Sequence, residues 1–97
     1  MIVERVTYFA KPGKIEEAVE LLKSMRDSLE NPEKLRIYRF FFAPNNKISW
    51  EWELESVSVL GETMDKILAR PEMAEWLKKL GEVMESGGTD EIYILVE

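Results

Sequence analysis

The chain has 97 residues, of which 45% are apolar and 33% charged, and its formal net charge is −6. This length and composition predict one folded domain over residues 1–97, not a disordered chain. The negative charge repels phosphate backbones, and the apolar runs are too short to cross a bilayer, so we expect neither a nucleic-acid nor a membrane partner. No secretory signal follows Met1, so we expect a cytoplasmic protein.

Cysteine and histidine are both absent. Their absence excludes disulfides, thiolate nucleophiles, imidazole-dependent catalysis and metal sites built from sulfur or imidazole. Only carboxylates remain as metal ligands, and no acidic loop has the spacing of a calcium site, so we expect no metal and no cofactor. Glutamine is absent as well, which together with many Glu and Lys residues indicates either a thermophilic source or chance in a short chain.

The first two predicted elements are a strand and a helix. Residues 2–10 are rich in strand-forming side chains, and Lys11-Pro12-Gly13-Lys14 ends this strand. From residue 15 to 29, apolar residues recur every three or four positions, which predicts a helix with one apolar stripe. Asn31-Pro32 ends the helix, because a proline disfavours helical backbone in the residue before it.

Residues 34–55 form the most informative segment of the chain. Two runs rich in aromatic and β-branched residues flank the turn formers Pro44-Asn45-Asn46, which predicts a β-hairpin. The second strand alternates strictly, with Ile48, Trp50, Trp52 and Leu54 on one face and Ser49, Glu51, Glu53 and Glu55 on the other. One face therefore belongs to a core, and the opposite face needs its own cover.

The remaining residues predict two helices and a last strand. Ser56 or Ser58 offers an N-cap for the first of these helices. Arg70-Pro71 interrupts it, because proline is tolerated in the first turn of a helix but not inside one, so a further helix begins at about Pro71. Gly87-Gly88 closes that helix with a left-handed cap, and residues 90–97 alternate as the final strand.

This order of elements predicts an α+β fold: a ferredoxin-like βαββαβ sandwich with a four-stranded antiparallel sheet and a second helix broken near Pro71. We expect the first and last strands in the middle of the sheet and the helices on one face. The covered face would hold Ile2, Val6, Ile37, Phe41, Ile48, Trp50, Trp52, Ile92 and Ile94. The other face would expose Val3, Phe9, Tyr38, Phe40, Phe42 and Leu95.

An uncovered apolar face of this kind usually marks an interface. Two such sheets packed face to face about a two-fold axis would bury both faces. We therefore expect a homodimer through the sheet face, closed into an α/β barrel.

The uncovered face also carries the candidate ligand-binding residues, while no residue is assigned a catalytic role. They are Arg5, Arg36, Tyr38, Glu51, Glu53 and Tyr93, with Thr7 beside them. A pocket with aromatic walls and a few polar groups suits a small, partly apolar ligand. Glu51 or Glu53 would act as a base if burial raised its pKa, and an arginine would hold an anionic oxygen. The alternative is structural, with the same residues forming Arg–Glu pairs across the dimer or a solvated rim.

Several segments carry a resemblance that covers nearly the whole chain. They are Arg36-Ile37-Tyr38-Arg39, Trp50-Glu51-Trp52-Glu53, the helix RPEMAEWLKKL at residues 70–80, Gly87-Gly88 and the strand EIYILVE at residues 91–97. In this order, they resemble the small proteins of the dimeric α/β-barrel superfamily. That superfamily includes antibiotic-biosynthesis monooxygenases and the NIPSNAP-like proteins, and the NIPSNAP-like group is the more similar.

The resemblance implies a cofactor-independent enzyme or binding protein for a small aromatic or polyketide-like compound held between the sheets. The superfamily also contains isomerases, haem-degrading enzymes and proteins without known activity, so the shared fold is only an analogy for function. The haem-degrading members bind iron through a histidine, which this chain lacks. The alternative is a non-catalytic homodimeric module whose barrel is filled by its own side chains, Tyr38, Phe40 and Phe42.

Overall fold

The computed structural model describes residues 1–41 and 45–96, so Phe42 and Pro44 of the predicted hairpin and Glu97 lie outside the described residues. The elements are β1 (Ile2–Phe9), α1 (Ile15–Asp27), a 3₁₀ turn (Pro32–Lys34), β2 (Leu35–Arg39), β3 (Lys47–Leu54), α2 (Val57–Leu68), α3 (Met73–Val83) and β4 (Thr89–Ile94). The four strands form one antiparallel sheet. The predicted ferredoxin-like sandwich, with its helix break near Pro71, is therefore confirmed.

The strand order in the sheet is β2-β3-β1-β4. The prediction that the first and last strands occupy the middle is wrong for the last strand, because β4 pairs with β1 at one edge. The hairpin holds β2 beside β3. Since β3 also pairs with β1, it takes the central position that was expected for β4.

The register confirms the alternation predicted for β3, whose apolar and polar residues lie on opposite faces of the sheet. Val6 lies opposite Trp50 on the face toward the helices, whereas Arg5 lies opposite Glu51 on the other face. This division follows from the period of two in a strand, which sends successive side chains to opposite sides. We call the second face the open face, since the helices pack on the opposite side of the sheet.

Two apolar clusters within the described residues hold the helices on the sheet. One packs α1 and the end of α3 on the strands: Ala10, Ala18, Val19, Leu22, Ile48, Val83 and Met84. The other packs α2 on β1 and β3: Ile2, Trp52, Leu54 and Leu60. Full burial of one large apolar side chain is worth roughly 1.5–3 kcal/mol. The Ser56 hydroxyl oxygen, 3.3 Å from the Val59 amide nitrogen, caps α2, which decides between the two serines considered from the sequence.

The helices cover less of the sheet than the sequence pattern suggests. Both α1 and α2 contact the β3 side of the sheet. On β4, Ile92 and Ile94 are 47% and 75% exposed, although both were expected under the helices. Phe41 is 93% exposed because it lies beyond Arg39, where β2 ends. These residues lie at the margins of the sheet, outside the area that α1 and α2 cover.

The glycines expected to close α3 lie further along the chain. Met84, the residue after α3, already has extended backbone, so Gly87-Gly88 is not the helix cap. Gly87 has a φ of +89° in the loop that leads into β4. A Cβ on Gly88 would lie 2.7 Å from the carbonyl oxygen of Thr7, so only glycine allows this close approach to β1. Within residues 1–41 and 45–96, no helix is long and apolar enough to span a bilayer.

Candidate ligand-binding site on the open face

Three of the predicted site residues are hydrogen-bonded to one another on the open face. Arg5 of β1 donates from Nε to Glu51 Oε2 of β3 at 2.9 Å, and its Nη2 lies 2.8 Å from the same oxygen. Tyr38 of β2 donates its hydroxyl hydrogen to Glu51 Oε1 at 3.1 Å. Each carboxylate oxygen of Glu51 therefore has a donor, one charged and one neutral.

Strand pairing explains why these residues meet. Glu51 lies opposite Arg5 on one neighbouring strand and opposite Arg36 on the other. Tyr38 is two residues beyond Arg36 on β2, which is the diagonal position that an aromatic side chain can reach. The central strand β3 thus presents Glu51 to both of its neighbours on the same face.

The Glu51 side chain is only 16% exposed, against 45% for Arg5. A carboxylate that loses most of its contact with water needs hydrogen-bond donors in exchange. Arg5 and Tyr38 supply them. The hydrogen bond to Glu51 in turn raises the pKa of the Arg5 guanidinium above its ordinary value. The pair thus joins β1 to β3 on the open face through one partly buried carboxylate.

Tyr93 extends this arrangement to the edge strand. The Arg5 guanidinium lies over the Tyr93 ring, 5.3 Å from its centroid, as a cation–π contact. The Tyr93 hydroxyl donates to Glu91 Oε2 at 3.0 Å, and this hydrogen bond raises the pKa of the phenol. Glu91 was not predicted as a site residue, although the alternation of β4 places it on the open face opposite Arg5.

Arg36 and Glu53 lie on the same face, and both are exposed to solvent. A hydrogen bond with Tyr38 and attraction to Glu53 raise the pKa of the Arg36 guanidinium. Within the described residues, Glu51 itself accepts from Arg5 and Tyr38, and Arg36 is connected to it by hydrogen bonds only through Tyr38. The six predicted residues therefore share one face. Arg5 and Tyr38 contact Glu51, Tyr93 contacts Arg5, and Arg36 contacts Tyr38, while Glu53 is exposed beside them.

A groove of about 350 Å³ opens beside Glu51. Its lining residues are Arg5, Tyr38, Arg39, Phe40, Ser49 and Glu51. Phe40 provides an aromatic wall, with Lys47 Nζ 4.5 Å from its ring centroid. The Arg39 guanidinium is bound elsewhere, since its Nη1 lies 2.6 Å from Glu16 Oε1 of α1. Aromatic walls around a carboxylate and a guanidinium suit a small, partly apolar molecule that carries a hydroxyl or an acidic group.

Sequence reasoning missed a second carboxylate, on the helix-covered face. Glu4 is 7% exposed, and its Oε1 accepts a hydrogen bond from Trp52 Nε1 at 2.7 Å. Burial raises the pKa of Glu4, the Trp52 hydrogen bond opposes this, and nearby Asp90 adds to the rise. The sequence does contain a signal for this burial: Glu4 alternates in step with Ile2 and Val6, so it lies on the same face of β1 as they do. Among the residues described, no group of three or more acidic side chains is placed to hold a metal ion.

No protein-family model matches the chain, and no curated protein matches it. Solved structures do match. A NIPSNAP family protein from Agrobacterium tumefaciens has a TM-score of 0.84 at 17% identity, covering 99% of this chain and 93% of its own. A NIPSNAP family protein of unknown function from the same organism scores 0.79 at 22% identity, over 95% and 85%. An antibiotic biosynthesis monooxygenase scores 0.74 at 13% identity over the whole of both chains. These similarities confirm the fold group expected from the sequence and, at such identities, concern the fold alone.

Proposed function

We propose that this protein binds a small aromatic or polyketide-like compound in the groove on its open face, as a homodimer whose two open faces enclose the ligand. The observation that carries the proposal is the Arg5–Glu51–Tyr38 cluster. Glu51 has lost most of its contact with water in a single chain, yet it borders a groove with room for a ligand. A carboxylate in this setting recognises a hydroxyl or N–H group.

Three further lining residues have a role in this proposal beside Glu51. The Arg5 guanidinium, already held by Glu51, offers its remaining N–H groups to an anionic oxygen of the ligand. Tyr38 and Phe40 contribute aromatic surface, and both are partly exposed, at 40% and 37%. Stacking on such rings favours a planar, unsaturated ligand.

The same geometry favours binding over proton abstraction by Glu51. A general base needs a free oxygen within hydrogen-bond reach of the proton that it removes. Tyr38 and Arg5 already donate to the two oxygens of Glu51. The fold shared with an antibiotic biosynthesis monooxygenase supports a second candidate, a cofactor-independent enzyme, in which a ligand hydroxyl displaces Tyr38 from Glu51 before proton transfer. A third hypothesis is a non-catalytic dimer whose barrel is filled by its own aromatic side chains, so that the protein binds no ligand there.

A thermal-shift screen of planar phenols and quinones separates these readings. At about ten times its Kd, a ligand stabilises the folded protein by about 1.4 kcal/mol, a shift of several degrees in Tm. We expect hits with the wild type and with Glu53→Gln, and none with Glu51→Gln. The proposal is wrong if no compound stabilises the wild type or if Glu51→Gln keeps every hit. Compound turnover by the wild type, lost in Glu51→Gln, would favour the enzyme.

A further inference from the structure

A second cavity lies on the other side of the sheet, remote from the open face. Its volume is about 490 Å³, it is open to solvent on one side, and it is lined by the end of α1, the 3₁₀ turn, β3 and α2. Much of its wall is apolar: Leu29, Trp52, Leu54, Val59 and Ile67. Cavities of roughly 300–1,000 Å³ with mostly apolar walls are typical of small-molecule sites.

The rim of this cavity is positively charged. Among the described residues that line the cavity, Lys34, Lys66 and Arg70 are cationic and Glu30 alone is acidic. The chain as a whole has 19 acidic and 13 basic residues, so this is a local reversal of the overall charge. In the described ranges 1–41 and 45–96, neither Lys34 nor Lys66 forms an ion pair. These two ammonium groups are therefore free to meet an anion.

Arg70 has a different role, since its hydrogen bonds are already made. Its Nη2 donates to the Ser28 carbonyl oxygen at 2.9 Å and its Nη1 lies 3.2 Å from Ser28 Oγ. Its Nε also lies 3.1 Å from Glu72 Oε1. These contacts join the segment between α2 and α3 to the end of α1, so they brace this part of the cavity wall without a ligand. A preformed wall lowers the entropy cost of binding.

We propose that this cavity binds an amphipathic monoanion, a carboxylate on a short aliphatic chain. The chain lies against Trp52, Leu54 and Ile67, and the carboxylate lies at the rim with Lys34 and Lys66. An apolar wall alone would accept any hydrophobic molecule, and the two unpaired lysines select the anion among them. Burial of each added methylene should tighten binding about fourfold until the cavity is full.

The test is an NMR titration of the full chain with octanoate, octanol and octyltrimethylammonium, followed through the ¹⁵N–¹H signals of the three tryptophan indoles. Trp52 contributes to the wall, and its indole N–H is held by Glu4, so its signal reports occupation directly. We expect octanoate to shift the Trp52 signal most and to bind more tightly than octanol, with the cation weakest. Octanol binding as tightly as octanoate would overturn the proposal, as would a Trp52 signal that does not move.

Charge variants complete the test. The double variant Lys34→Gln/Lys66→Gln should bind octanoate roughly tenfold more weakly and octanol unchanged. The control is Lys78→Gln, which removes an exposed charge from α3 outside the cavity lining. Octanoate binding should survive in Lys78→Gln and in Glu51→Gln. Loss of octanoate binding at this cavity can therefore be distinguished from loss of ligand binding at the open face. Equal losses in the double variant and in Lys78→Gln would show a non-specific charge effect and reject the site.

Discussion

Trp52 donates its indole hydrogen to Glu4 across the β1–β3 pair, with Nε1 2.7 Å from Oε1. The two residues are directly opposite each other, and they are 8% and 7% exposed. The buried indole N–H of Trp52 therefore has an acceptor, and the buried carboxyl of Glu4 has a donor. Glu51, next to Trp52 on β3, points to the open face, so one strand contributes to both candidate sites.

Replacement of Glu4 tests this buried contact. Burial raises the pKa of Glu4, so the folded chain binds this proton more readily than the unfolded chain does. The stability due to neutral Glu4 is fully present below the ordinary value of 4.5 and is lost as the pH rises through the higher folded value. Glu4→Gln stays neutral and can still accept from Trp52. We expect it to melt above the wild type at pH 7, with the difference shrinking toward pH 4.5.

Glu4→Leu is the matching control, because it removes the acceptor as well as the charge. An unpaired buried indole N–H should lower the free energy of unfolding by about 1–3 kcal/mol relative to Glu4→Gln. Urea melts followed by circular dichroism at pH 4.5, 5.5, 6.5 and 7.5 compare the three proteins. A Glu4→Gln variant less stable than the wild type at pH 7 would show that the ionised carboxylate stabilises the fold.

Arg70 is expected to anchor the helices through its planar guanidinium and not through its charge alone. Arg70→Lys keeps the charge but cannot reproduce the paired hydrogen bonds to Ser28. We expect a loss of about 1–2 kcal/mol in the free energy of unfolding. Arg26→Lys is the control, since the one ion pair of Arg26 within residues 1–41 and 45–96 is with its neighbour Asp27. Urea melts in which both variants lose the same stability would contradict the anchoring role.

The exposed aromatic residues of the open face predict self-association. Phe9, Tyr38, Phe40 and Tyr93 are 37–43% exposed on this one face. Light scattering at micromolar concentration should give twice the chain mass of 11.3 kDa. Phe40→Asp places a charge in the interface and should give monomer or aggregate. Leu77→Asp introduces the same charge at an exposed apolar residue of α3, and this variant should remain a dimer. A wild-type monomer would refute the interface.

The chain is expected to fold without a metal. Histidine and cysteine are absent, so carboxylates are its only anionic or imidazole-type metal-binding side chains. Treatment with EDTA should leave the Tm unchanged, and added Mg²⁺, Ca²⁺ or Zn²⁺ should not raise it. A drop of several degrees with EDTA, restored by one of these ions, would reveal a metal site.

Local patterns predicted more of this structure than long-range ones did. The period of two in residues 47–54 assigned Trp52 and Glu51 to opposite faces, because alternation is a property of one strand. The position of β4 depended on which strand pairs with β1, a choice between segments far apart in sequence. For the same reason, the sequence pattern did not predict the contact between Ser28 and Arg70, which are 42 residues apart. The burial of Glu4 was missed for a different reason. The alternation of β1 places Glu4 with the apolar residues Ile2 and Val6, but a charged side chain is rarely expected to be buried.

The Arg5–Glu51–Tyr38 cluster is proposed to border a ligand site on the open face. The most direct measurement is a titration of ¹⁵N-arginine-labelled protein with a hit from the thermal-shift screen, followed at the Arg5 Nε–H signal. Because this hydrogen is bonded to Glu51, a ligand in the groove should shift its signal in the wild type and leave the signal of Arg26, on α1, unchanged. A hit that binds, shifts the Trp52 indole signal and leaves Arg5 unmoved would place the ligand on the other side of the sheet and contradict the claim.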